Sequence, residues 1–165
     1  MVHTIEELFR RLLDLMKQQD ELMERLLQAG GRQQDALRAN NIMELNSAVT
    51  AISELARQLT GIEKDRLAVQ REAEANLGLP KDSTLQALLT VAPEYLRDEL
   101  KDRRRLLRCK TDLFKDLNSV NQLMVKNALR LNHYMIKTLL PPEETYGGNG
   151  TLTGARANTL VNKTI

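Results

Sequence analysis

The chain has 165 residues and a formal net charge of +2, with 42% apolar residues, 3% aromatic residues, one cysteine and no tryptophan. This is long and apolar enough for one folded domain with a core. It is too near neutral for a molecule whose whole surface holds nucleic acid, and one cysteine excludes an internal disulfide or a multi-cysteine zinc site. With so few aromatics, a core of Leu, Ile, Val, Met and Ala favours helix on helix over a β-sandwich.

The first element opens at Thr4-Ile5-Glu6-Glu7, which has the form of a capping box. Apolar residues then recur every three or four positions from Ile5 to Leu27, and the heptad Phe9, Met16, Met23, Gly30, Leu37 keeps its phase across Gly30-Gly31. This predicts one helix over about 4–39, with a soft point where the two glycines cost about 2 kcal/mol against alanines. Asn40-Asn41 predicts a turn, with Asn41 capping a second helix over about 41–76. Its apolar stripe, Ile42 through Ile62, is expected to weaken after Leu67 and Val69, and Gly78 with Pro80 stops it.

Ser83-Thr84-Leu85-Gln86 predicts a second capping box and a short helix over about 83–90. Pro93 and Glu94 then open the longest helix, about 93–140, with the seam Leu96, Leu100, Leu107, Phe114, Leu117, Met124, Ala128, Leu131, Met135. Leu106, Leu113, Val120 and Tyr134 widen that seam, and Pro141-Pro142 ends it. The expected fold is all-α: an elongated antiparallel coiled-coil-like bundle of three long helices plus one short one, over residues 1–140. Residues 141–165 form a flexible glycine-containing tail. At 1.5 Å per residue the first two long helices reach roughly 55 Å and the third roughly 70 Å. About 15 Å of the third therefore lacks partners from its own chain, and an uncovered apolar seam is expected to acquire a helix from elsewhere.

Catalytic equipment is sparse. His3 and His133 stand far apart in sequence with no second ligand at metal spacing. Cys109 lies between Arg108 and Lys110 without a base and reads as filler on a helix face. Glu6-Glu7 and Glu143-Glu144 read as cap and solvent charges, and no phosphate loop is present. An enzyme is not expected, nor a metal or other cofactor. No apolar run is long enough for a membrane span, and Glu6 and Glu7 interrupt any signal peptide, so the expected location is cytoplasmic.

The run KDRRRLLRCK, residues 101–110, admits a phosphate-binding stripe through Arg104 and Arg108, or a solvated face paired with nearby acids; without stacking aromatics the second is preferred. Asn121 falls in the seam between Phe114 and Ala128. It reads either as a polar layer that fixes register or as a contact for a visiting helix. In the tail, Tyr146, Leu152, Leu160, Val161 and Ile165 are spaced apolar residues, read either as a docking segment or as an unstructured terminus that packs occasionally on the bundle.

The order of these elements, with LNSVNQLMVKNALRLN in the last helix and YGGNG after it, resembles the FlgN family of flagellar type III export chaperones. The resemblance covers nearly the whole chain. It implies a cytoplasmic chaperone that binds hook-associated proteins of the hook–filament junction by their helical termini. It would prevent their premature assembly and deliver them to the export apparatus. On this resemblance the client surface maps to Leu117, Val120, Asn121, Met124, Ala128, Leu131 and Met135, and export-gate docking to Tyr146, Gly147 and Gly150. The unpaired seam is also compatible with a homodimer of the free protein; nucleic acid and stable membrane insertion are not expected as partners. The rival readings are a coiled-coil adaptor of another cytoplasmic assembly and, behind it, a helical nucleic-acid binder.

Overall fold

The computed structural model describes residues 4–81 and 83–139 and the pairs 145–146 and 152–153. Four helices follow in order: α1 (Ile5–Arg38), α2 (Ile42–Leu77), α3 (Leu85–Thr90) and α4 (Glu94–Leu139). The chain forms two units, Met1–Gln122 and Leu123–Ile165, so the boundary falls inside α4 rather than at its end.

Local chemistry sets the helix ends. The Thr4 hydroxyl accepts from the Glu7 amide while the Glu7 carboxylate accepts from the Thr4 amide at 2.8 Å, a complete capping box. Asn41 Oδ1 accepts from the Glu44 amide and starts α2. Gly78 ends α2 at φ 66°, a left-handed conformation that glycine adopts without a Cβ penalty. The Leu79 amide then returns to the Glu74 carbonyl at 2.9 Å. At α3 the expected cap moves by one residue. Thr84, not Ser83, accepts from the Ala87 amide, because the Ser83 hydroxyl is engaged with the Pro80 carbonyl at 2.6 Å. Helix α1 runs unbroken through Gly30-Gly31.

The first unit is an up-down-up bundle. Leu12 and Met16 of α1 share a cluster with Val69 and Ala73 of α2, while Leu26 and Ala29 share one with Leu55, so these two helices are antiparallel. Lys17 pairs with Glu99, Asp20 with Arg103 and Glu24 with Lys110, so α4 runs parallel to α1. The larger cluster adds Leu88 and Leu89 of α3 and Leu96 and Leu100 of α4 to Leu8, Phe9 and Leu12. The apolar stripe of α2 thins after Val69, yet Gln70, Ala73 and Glu74 are buried there as well, because the α3 region adds another wall at that level. The polar residues are tolerated because Gln70 Nε2 donates to Glu74 and to the Ser83 carbonyl. Conversely Ile42, Met43 and Val49, at the start of α2, are exposed.

In the second unit, Thr145–Tyr146 (β1) and Leu152–Thr153 (β2) form a two-residue antiparallel pair with Tyr146 opposite Leu152. The rest of the expected tail, with its flexibility, lies outside the described residues, as does His3.

Candidate partner-binding site

The site is built along α4, whose packing changes from one end to the other. Leu96 and Leu100 are buried in the main cluster. Next comes a charged clasp. Asp20 of α1, largely buried, lies 2.9 Å from Arg103 and 2.7 Å from Lys110, and Lys110 is also 3.0 Å from Glu24. The close contact with Asp20 is the main cause that raises the Lys110 ammonium above its ordinary value, against the opposing effect of burial. Arg105 meets Asp102 at 3.3 Å within the same helix. Three of the basic residues in the 101–110 run thus divide between an internal clasp, Arg103 and Lys110, and a local pair, Arg105, and Arg104 Nη1 donates to Gln86 of α3 at 2.8 Å.

Beyond the clasp, α4 meets α1 at Gly30. A Cβ built there would stand 2.8 Å from Leu117 Cδ2 and 3.5 Å from Phe114 Cε2, so the missing side chain is what lets Leu117 settle on α1. One turn later Asn121, 1% exposed, donates through Nδ2 to the Gly30 carbonyl and to Gln33 Oε1, both at 3.0 Å. Its Oδ1 is buried without a partner among the described residues. Of the residues mapped to a client surface, Leu117 and Asn121 are therefore engaged with α1.

The others sit differently. Val120 is exposed, Met124 is half-buried, and every residue from 126 to 139 is exposed, including Ala128, Leu131 and Met135. Leu123, Leu129, Tyr134, Ile136 and Leu139 are exposed too, Leu139 to 72%. At about 100° per residue, Met124, Ala128, Leu131 and Met135 share one face, Leu129 and Ile136 lie to one side of it, and Leu123 and Tyr134 to the other. Tyr134 was legible as widening the heptad seam, whereas Leu123, Leu129 and Ile136 fall outside it. The signal for Leu129 and Ile136 is the apolar density of LRLNHYMIKTL, which exceeds one stripe. This arc is apolar helix surface that a second helix can cover.

Tyr146 has its backbone in β1, while Gly147 and Gly150 lie outside the described residues. Cys109 and His133 are exposed on α4. No group of three or more His, Cys, Asp or Glu among the described residues is placed to hold a metal ion. No helix among them is long and apolar enough to cross a membrane.

The uncharacterized protein YvyG of Bacillus subtilis (strain 168) is 23% identical over 137 residues, spanning 83% of this chain and 84% of its own. No solved structure matches. The profile of the FlgN protein family, chaperones of flagellar assembly and export, matches residues 1–154. The chain belongs to the FlgN family.

Proposed function

We propose that this protein is a cytoplasmic chaperone for hook-associated proteins of the hook–filament junction. The carrying observation is the run of exposed apolar side chains on α4 between Leu123 and Leu139. A helical terminus of a client covers this arc and is thereby kept from assembling with its own kind. Burying one leucine side chain contributes about 1.5–3 kcal/mol, so a few such contacts suffice for a complex that forms and later releases. Delivery to the export gate is assigned to the segment around Tyr146, whose side chain is the single aromatic of the YGGNG stretch.

The test uses the full chain and a purified hook-associated subunit. Leu131→Asp with Met135→Asp should weaken binding by at least about tenfold, since each aspartate must be desolvated on an apolar contact. Both positions are exposed, so the circular dichroism melt should hardly change. Tyr146→Ala should leave this affinity intact and lower export of the client in cells. Undiminished binding by the double variant removes the α4 surface from the proposal, and binding of no junction subunit by the unaltered chain favours an adaptor of another assembly.

A further inference from the structure

Beside the basic run lies a groove that the α4 surface does not use. It occupies about 470 Å³ between α1, α2 and α4 of the first unit, with Leu85 of α3 at its border. Met16, Met23, Leu59, Leu67 and Leu107 give it apolar walls, and the methionines can re-pack around different side chains. Its stretch of α4, from Arg104 to Thr111, corresponds to about 10 Å of helix, enough for two turns of a second helix laid alongside.

Its charges are unequal. Glu63 lies 2.6 Å from Arg66, accepts from Gln19 as well, and is held below the ordinary carboxylate range chiefly by the Arg66 hydrogen bond. That pair is internally satisfied. Among the described residues Arg104 meets only the neutral Gln86. Arg108, exposed, has no hydrogen bond or ion pair among the described residues. Arg103 and Lys110 are neutralised by Asp20 and Glu24, and Arg105 lies beside Asp102. The positive charge left over in the run and placed at the groove is thus Arg104 and Arg108, one turn apart and about 6 Å from each other on one face of α4.

We propose that this groove docks an acidic amphipathic helix of a protein partner. Its apolar side chains enter between Met16, Met23, Leu59 and Leu107, while two of its carboxylates, three or four residues apart, meet Arg104 and Arg108. A nucleic-acid strand fits less well: the walls hold no aromatic ring for a base to stack on, and a phosphodiester backbone leaves the apolar walls unfilled. The site is separate from residues 123–139 and does not rest on the reading of that surface.

A display library of 16-residue amphipathic helical peptides, selected on the full chain, tests this. Sequences with Asp or Glu three or four apart beside a Leu, Ile, Met or Phe stripe should be enriched. A fluorescein-labelled peptide from that set should lose at least about tenfold in affinity, by anisotropy, on Arg104→Glu with Arg108→Glu. Replacing its acids by lysine should recover binding to the reversed chain, which a merely structural role would not give. Leu131→Asp with Met135→Asp should leave its affinity unchanged. Should the double reversal fold poorly, Arg108→Glu alone, at an exposed position, must still cost severalfold. The proposal is overturned by no enrichment, by enrichment without acids, by a loss at Leu131 and Met135 instead, or by a labelled dT16 oligonucleotide that binds and is lost on the same arginine reversal.

Discussion

At the scale of single residues, two polar side chains decide how α4 lies on α1. Asp20 serves two cations from α4 and is only 12% exposed at its side chain, so removing its charge strands Arg103 in a half-dry site and leaves Lys110 with Glu24 alone among the described residues. Asp20→Asn should cost about 1–3 kcal/mol at neutral pH, read from urea melts. The pH dependence has a definite sign. The folded-state value of Lys110 is raised, so its contribution is complete below the ordinary lysine value of 10.5 and is lost as pH rises through the folded value. The unaltered chain should therefore lose stability in that alkaline window more steeply than Asp20→Asn; parallel curves would show that the clasp does not hold Lys110. Asn121 works without charge: its two donated hydrogen bonds specify which α1 residues it faces. Sequence reasoning left it between a register layer and a client contact, because a heptad position says that a side chain points inward but not which acceptors await it. The basic run was obscure for the same reason, since Asp20 and Glu24 are some eighty residues away in sequence.

Among the elements, α1 depends on a difference between two adjacent glycines. Gly31 has nothing within 4 Å of an added Cβ, whereas Gly30 would meet Leu117 at 2.8 Å. Gly31→Ala should stabilise the chain by up to about 1 kcal/mol through helix propensity alone, raising Tm by about 2–4 °C. Gly30→Ala receives the same propensity gain but must displace Leu117, at about 1–3 kcal/mol for overpacking. It should come out no more stable than the unaltered chain. Equal melting temperatures for the two variants would mean that α4 does not bear on α1 at this point. Helix order and most boundaries were legible because caps and stops are local chemistry: Thr4 with Glu7, Asn41 with Glu44, Gly78 before Pro80. The Ser83 cap was misplaced by one residue because the competing Pro80 carbonyl is a contact of the folded turn. The burial of the polar Gln70 and Glu74 was not legible because α3, only six residues long, supplies a wall that periodicity within α2 cannot register.

For the molecule as a whole, burial is concentrated where α1, α2, α3 and the first part of α4 meet, and no residue described beyond Asn121 in α4 is buried. A helix of such length without tertiary cover is marginal in water. The two stretches should consequently differ in hydrogen exchange. Amides of residues 8–16 and 96–100 should open only with the fold, at a cost in the range of about 5–15 kcal/mol typical of domains. Those of residues 126–139 should open at close to zero cost in the lone chain. A bound client helix lowers the free energy of the covered state, so exchange across 126–139 should slow with client concentration while residues 8–16 keep their rates. If residues 126–139 of the lone chain are as protected as residues 8–16, their apolar arc is already covered. Dependence of that protection on protein concentration would then identify a second copy as the cover. Independence from it would remove the physical basis for client capture on α4.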